Sequence, residues 1–405
     1  MQCVILVGGL GTRLGEISRT CPKPMLPVGG RPFVERLIEN AARFGFSEFL
    51  LLAGHHSDVV RRHFATGAYD TPGRTVNVKV LVEPEPRGTG GALRFAADHL
   101  QAKFLMLNGD AFFDFNWLDL VAAPMPAEVV GWIGLRQMAD ASRFGIVTTD
   151  ETGRMLQMLE RPEAPGPGMI NGGVYWLNRN IIDLIPADEA VSIERTVFPA
   201  LVSRKALYAR AYDGMFVDIG VPDDYQRAQT MPLSQRPAVF FDRDGVLNHD
   251  AGYTHRREDF RWIDGAVEAI KAVNDRGMFA FVVTNQAGVA RGYYSEDDVQ
   301  ALHQWMSEQL ALQGAHIDDF RYCPHHPDAG RGAYRASCSW RKPGPGMLKD
   351  LLAHWPVDLA RSCLVGDKPS DLEAAEGAGV EALHFQGGNL HAFIEARLEA
   401  GSGKR

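Results

Sequence analysis

Positive charge is scarce in this sequence: 42 lysines and arginines stand against 50 aspartates and glutamates, a net charge of -8 over 405 residues. A general electrostatic grip on nucleic acid or on an anionic membrane needs basic surface, so neither is expected as a partner. Anionic small molecules are not excluded, because a few local donors suffice to bind them. Long apolar runs are missing too. No stretch reaches the 18 or more apolar residues of a spanning helix, and the opening MQCVILVGGL lacks a basic segment and passes straight into glycines. Cysteine is sparse: Cys3, Cys21, Cys323, Cys338 and Cys363 are odd in number and scattered, which argues against a disulfide framework and for a reducing compartment. These absences predict a cytoplasmic protein. With 45% hydrophobic and 23% charged residues, a largely disordered or collagen-like chain is excluded as well.

What is present suffices for more than one core, since 405 residues exceed one ordinary domain. Short apolar runs at 3–7, 49–53, 78–82 and 104–107 alternate with helix-like stretches. Of these, 33–44 puts Phe33, Leu37 and Ala41 on one face, and 91–100 does the same with Ala92, Phe95, Ala96 and Leu100. The alternation predicts an α/β fold with an open, mostly parallel sheet flanked by helices. A second series at 238–241, 279–283 and 363–365 predicts another such sheet. Between them 231–237 reads MPLSQRP, proline-containing and without apolar periodicity, which places a linker there. The expected domains are therefore 1–230 and 238–390, with 391–405 as a helix end and frayed tail.

The first run leads into Gly8-Gly9-Leu10-Gly11-Thr12-Arg13-Leu14. Bare glycine backbone can bring N–H groups up to phosphate oxygens while Arg13 adds a fork of donors; the same residues also suit a tight turn without ligand. Neither the P-loop spacing nor the Rossmann G-x-G-x-x-G is present. In Pro22-Lys23-Pro24-Met25-Leu26-Pro27, flanking prolines stiffen the backbone around one lysine, which suits a phosphate. Together the two segments resemble the sugar nucleotidyltransferase family, and the resemblance runs over residues 1 to about 230. It implies a Rossmann-like fold, Gly8, Gly9, Gly11, Thr12, Arg13 and Lys23 around the nucleotide phosphates, and Glu83, Gly88 and Thr89 of EPEPRGTGG at the base. Asp110, after a strand in Asn108-Gly109-Asp110, and Asp218 of Asp218-Ile219-Gly220 are then the Mg²⁺ carboxylates. Asn171 and Gly172 of MINGGVY, with Glu160 and Arg161, fall at the sugar phosphate. The family usually has lysine where Arg161 stands, and arginine fans its donors differently.

In the second half, Asp242-Arg243-Asp244-Gly245-Val246 follows an apolar run. Two carboxylates so spaced after a strand can hold Mg²⁺ at the first and leave the second for proton transfer. Thr284-Asn285-Gln286, Arg341-Lys342-Pro343 and Gly366-Asp367-Lys368, with Asp371 close behind, follow in order. That order resembles the haloacid dehalogenase superfamily. The resemblance implies Asp242 as nucleophile and Asp244 as general acid and base. It puts Thr284, Asn285, Arg341, Lys342 and Lys368 at the sugar phosphate, and Asp242, Asp244 and Asp367 at Mg²⁺. Within it, D-R-D-G-V-L-N and T-N-Q-x-G-V-A-R-G-Y resemble heptose-bisphosphate phosphatases most, with histidinol phosphatases the nearest relatives. That family carries a Zn²⁺ site where Cys323, His325 and Cys338 stand, but Trp340 takes the place of the last cysteine, leaving His326 or water as substitutes.

If both resemblances hold, the chain joins consecutive steps. A heptose 1,7-bisphosphate would lose its 7-phosphate, and a guanylyltransferase-like first half would convert the heptose 1-phosphate and GTP into GDP-heptose. Two alternatives stay open: mannose or glucose 1-phosphate transfer beside a histidinol-phosphate-type phosphatase, or a first half that binds sugar nucleotide without turnover. The expected partners are small molecules, heptose phosphates and GTP, with a homo-oligomer left open.

Overall fold

The apolar run after Met1 forms the strand Gln2–Leu6, four of whose five residues are buried. It lies in the middle of a sheet, parallel to Glu48–Ala53 on one side and to Lys103–Asn108 on the other. Near-continuous apolar sequence in all three is what a strand covered on both faces requires. The computed structural model describes the chain apart from residues 10–13, 16, 18, 160–164, 188, 234 and 403–405. It divides into two compact units, Met1–Leu233 and Ser234–Arg405. Among the described residues no helix is long and apolar enough to cross a membrane.

In the first unit Thr75–Val82 continues the parallel core beyond Glu48–Ala53. The chain fills that side before crossing back to Lys103–Asn108, so the carboxyl end of Gln2–Leu6 is a topological switch point, where open α/β sheets bind ligands. The periodic stretch at 33–44 is the helix Phe33–Arg43, with Phe33, Leu37 and Ala41 all buried. It stops where Gly45 takes a left-handed φ of 88°. The stretch at 91–100 is an α-helix over Gly88–Phe95 and a 3₁₀ turn over Ala97–His99. Beyond the parallel core the sheet is mixed: Gly168–Asn178 runs antiparallel to both Lys103–Asn108 and Gly131–Met138. Sequence alternation does not reveal this strand, because its register shifts between Asn171 and Tyr175, around Gly172 and Gly173.

The second unit holds five parallel strands in the order Asp319–Cys323, Phe279–Asn285, Ala238–Phe241, Cys363–Gly366, Glu381–His384. All four residues of Ala238–Phe241 are buried, Val239 and Phe241 facing one apolar cluster, Ala238 and Phe240 the other. The helices Ala266–Asp275, Glu296–Ala311 and Leu390–Ser402 cover the first face, and Gly346–His354 and Pro369–Ala378 the second. Here too the chain reverses direction across the sheet beside Ala238–Phe241.

One close approach in the first unit sets the position of Asp110. Gly109 N–H donates to the Leu6 carbonyl at 3.1 Å, and a Cβ on Gly109 would lie 2.2 Å from that oxygen. Gly109→Ala is expected to cost about 2–4 kcal/mol in chemical denaturation, because backbone rather than a yielding side chain must move. A loss below 0.5 kcal/mol would show that the turn relaxes freely.

Candidate active sites

The first site is assembled at the switch point of the first unit. Asp110 follows Lys103–Asn108, and the ribbon formed by Ala111–Asp114 and Met215–Asp218 sets Asp218 opposite Ala111. Ile219 N–H donates to the Asp110 carbonyl at 2.9 Å, which closes the ribbon. Lys23 opens a one-turn 3₁₀ helix, Lys23–Met25, and its Nζ lies 3.1 Å from Asp110 Oδ2. Tyr225 OH donates to the Pro27 carbonyl at 2.9 Å, tying the proline–lysine segment to the end of the unit. Asp218 is pushed up to about 6, by burial first and then by the Asp110 charge, against the Gly220 N–H and Lys23. Two opposed oxygen donors with one ammonium beside them fit a hard divalent cation.

The other expected residues line the same strand ends or fall outside the description. A Cβ on Gly8 would sit 3.0 Å from Gly54 N, while Gly9 has open space around it. Thr89 Oγ1 donates to Glu194 Oε2 at 2.8 Å and accepts from Ile193 N–H, and Gly90 N–H reaches the Val191 carbonyl, so the Gly88–Thr89 turn is held by 191–194. Glu194 belongs to no motif, and only this tertiary bond reveals it. Asn171 Nδ2 and Asn108 Nδ2 both donate to Tyr175 OH, at 2.9 and 3.2 Å, and a Cβ on Gly172 would meet the Phe113 ring at 2.4 Å. Gly11, Thr12, Arg13, Glu160 and Arg161 lie outside the described residues.

The second site sits beside Ala238–Phe241. Asp242, Asp367 and Asp371 each present a carboxylate oxygen, all within 4.8 Å of one another. Lys342 Nζ lies 2.8 Å from Asp242 Oδ1 and 2.6 Å from Asp371 Oδ1, and donates to the Val283 carbonyl at 2.9 Å. Asn285 exchanges hydrogen bonds with both the N–H and the carbonyl of Lys342, fixing that segment to the strand end. Burial first, opposed by Lys342 and reinforced by Asp371, pushes Asp242 up to about 7. Burial also works against the Lys342 charge, yet Asp242 and Asp371 hold its pKa above the ordinary value. Gly245 makes room here: a Cβ on it would lie 2.3 Å from Asp367 Oδ2.

Asp367 Oδ1 is buried with no hydrogen-bond partner among the described residues. Three carboxylates around one buried ammonium, one oxygen unsatisfied, fit a magnesium-type cation. Asp371 completes this group; its signal was a carboxylate four residues after Asp367, just inside a proline-started helix. Asp244 is held elsewhere, by Arg243 and Gln286 at 3.0 Å on Oδ2 and by Asn248 at 3.0 Å on Oδ1. Lys368 Nζ reaches Asp250 at 3.1 Å and Asp367 at 3.8 Å, and Arg341 Nη1 donates to the His325 carbonyl.

Cys323, His325 and Cys338 also bring ligand atoms within 4.8 Å of one another. Burial pushes the Cys323 thiol up to about 11. His326 Nδ1 accepts the N–H groups of Asp328 and Ala329, which leaves the proton on Nε2 and withdraws the ring as a fourth ligand. The described residues therefore offer three of the four ligands that structural zinc takes.

Residues 2–235 match a family described as nucleotidyl transferase, and 339–397 match one described as HAD-hydrolase-like. Over 169 residues the chain is 50% identical to a D-glycero-beta-D-manno-heptose-1,7-bisphosphate 7-phosphatase of Rhodopseudomonas palustris, a match spanning 42% of this chain and 94% of that relative. The chain belongs to the nucleotidyl transferase family and to the family of this phosphatase. A D-glycero-alpha-D-manno-heptose-1,7-bisphosphate 7-phosphatase of Burkholderia mallei is 48% identical over 143 residues, 35% of this chain and 76% of the relative. Among solved structures, HddC from Yersinia pseudotuberculosis is 31% identical with a TM-score of 0.49, covering 56% of this chain and 97% of that one. A second structure of it is complexed with GMP-PN.

Glu83 carries a measurable pH signature. Its Oε1 is buried with no hydrogen-bond partner among the described residues, and burial, opposed by Arg87, pushes its pKa up to about 7. The folded chain thus holds this proton more tightly than the unfolded chain. Its contribution to stability is full below the ordinary glutamate range and is lost as pH rises toward 7. Glu83→Gln removes that loss. Between pH 5 and pH 8 the variant should gain about 1–2 kcal/mol on the wild type in denaturant titrations, after allowance for solvent screening. Parallel pH profiles would contradict the assignment.

Proposed function

We propose that the chain is a bifunctional enzyme that removes the 7-phosphate of a D-glycero-D-manno-heptose 1,7-bisphosphate and transfers GMP from GTP to the remaining heptose 1-phosphate. The products are phosphate, pyrophosphate and GDP-heptose. One observation carries the reading: each unit gathers carboxylates and a lysine at a strand end beside its switch point, in a chain belonging to a transferase and a phosphatase family.

In the phosphatase half, Asp242 Oδ attacks the phosphorus of the 7-phosphate and the bond to the sugar oxygen breaks, leaving an aspartyl-phosphate. Asp244 gives the leaving oxygen its proton, then takes one from the water that opens the acyl phosphate. Thr284 and Lys342 offset the phosphoryl charge. In the transferase half, an oxygen of the sugar 1-phosphate attacks the α-phosphorus of the nucleotide and pyrophosphate departs, with Lys23 and Arg13 offsetting its charge. Asp110 and Asp218 in one half, and Asp242, Asp367 and Asp371 in the other, would hold Mg²⁺, which when bound screens repulsion between carboxylate and phosphate.

The test is a one-pot reaction with the bisphosphate and each nucleoside triphosphate, following phosphate, pyrophosphate and sugar nucleotide by mass. Asp242→Asn should cut phosphate release by about a thousandfold or more while sparing transfer to heptose 1-phosphate, and Arg13→Ala should do the reverse. A single change that silences both reactions in folded protein defeats the two-site reading. GTP binding without pyrophosphate release would make the first unit a binding module. Turnover only of mannose 1-phosphate or histidinol phosphate would move the substrates.

A further inference from the structure

Gln286 lies between two groups that the phosphatase reaction uses, beside the cluster of Asp242, Asp367 and Asp371. The residue is 1% exposed. Nε2 donates to Asp244 Oδ2 at 3.0 Å and to Thr284 Oγ1 at 2.8 Å. Oε1 accepts from Arg243 Nη2 at 3.2 Å and from Tyr294 OH at 2.8 Å. All four capacities of the amide are used. The opposite rotamer would set Oε1 against the Asp244 carboxylate and the NH₂ group against a guanidinium, so electrostatics alone settle which way the amide faces. We infer that Gln286 is the positioning residue that couples the phosphate-binding hydroxyl of Thr284 to the acid–base carboxylate of Asp244.

The inference rests on the phosphatase reading, and its content is directional. A hydroxyl that receives an N–H on one lone pair keeps its own proton to donate, so Gln286 leaves the Thr284 O–H to be aimed at a phosphoryl oxygen. The second N–H of the same amide holds Asp244 Oδ2, which fixes the carboxyl that must protonate the departing sugar oxygen. One planar group thereby sets the spacing between the phosphoryl clamp and the proton donor. Its own anchor is deep. Arg243 is fully buried and its Nη2 also donates to the Thr254 carbonyl at 2.6 Å, while Gln286 N–H donates to the Cys323 carbonyl at 2.8 Å. Gly288 lets Tyr294 in: a Cβ there would lie 2.1 Å from the Tyr294 ring. The run Thr284 to Tyr294 thus has a physical rationale at its glutamine, glycine and tyrosine.

The experiment separates positioning from packing through the leaving group. In the full chain with Mg²⁺, Gln286→Met keeps bulk and removes both donors, and Gln286→Glu keeps shape but turns donors into acceptors. Each is assayed on the heptose bisphosphate, whose alkoxide leaving group needs a proton, and on p-nitrophenyl phosphate, whose leaving group does not. Both variants should lose about 10–100-fold more kcat/KM on the sugar phosphate than on the aryl phosphate. The bridging-oxygen ¹⁸O isotope effect on the sugar phosphate should rise in both, a readout that needs no aryl turnover. Equal losses on the two substrates, an unchanged isotope effect, or undiminished activity overturns the inference. A wild-type chain inert toward the bisphosphate defeats the phosphatase reading instead.

Discussion

Burial of carboxylates crowded together at the carboxyl ends of strands is the constraint on which both units turn. Asp218 is pushed up to about 6 and Asp242 to about 7, burial coming first in each. A protonated Asp242 is no nucleophile, and a protonated Asp218 is a poor ligand for a cation. Each cluster therefore stores unfavourable electrostatics in the free protein that a bound divalent cation would relieve. The lysines are the part of the compensation supplied by the chain itself. Lys342 sits between Asp242 and Asp371 at 2.8 and 2.6 Å, and Lys23 faces Asp110 at 3.1 Å. A compact ammonium on a flexible stem fits such gaps where a planar guanidinium would not.

The two units meet this constraint by different routes through the chain. In the second, Asp367 ends a strand and Asp371 stands in the first turn of the next helix, so two of the three acids are fixed by one short loop. In the first, Asp218 reaches Asp110 only because Met215–Asp218 pairs with Ala111–Asp114 across a long sequence gap. Closing a long loop costs entropy that local geometry does not. The first site thus depends on the ribbon and on the tie from Tyr225 to Pro27, whereas the second depends on how closely the Asp367 carboxylate approaches the bare backbone of Gly245.

The parallel cores were legible because buried parallel strands write themselves as continuous apolar runs, as at Gln2–Leu6 and Ala238–Phe241. Gly168–Asn178 was not, because the irregularity that bends it also erases its alternation. Candidate site residues that stand at or just past a strand end were visible as such in the sequence, as at Asp110, Asp242, Thr284 and Asp367, and the family resemblances supplied their roles. Residues that act through partners distant in sequence were not visible. Glu194 beneath Thr89 has no motif, and Gln286 lies inside a recognised run whose pattern says nothing of which atoms its amide joins. Asp371 falls between these cases, since its spacing was visible but its oxygen's direction was not.

On the proposed reading, the pairing of activities follows from what a phosphomonoesterase can attack. The bisphosphate offers two monoesters, and the product of the first hydrolysis still carries one, within reach of the same nucleophile and the same Lys342 charge. Nucleotidyl transfer turns that remaining monoester into a pyrophosphate diester, which lacks the terminal dianion that the Thr284 and Lys342 donors would grip. The transferase half is thus the step that takes the sugar 1-phosphate out of reach of the chain's own Asp242. Carrying both activities on one polypeptide fixes their ratio at one to one. Loss of the intermediate is then set by two rate constants and not by two expression levels.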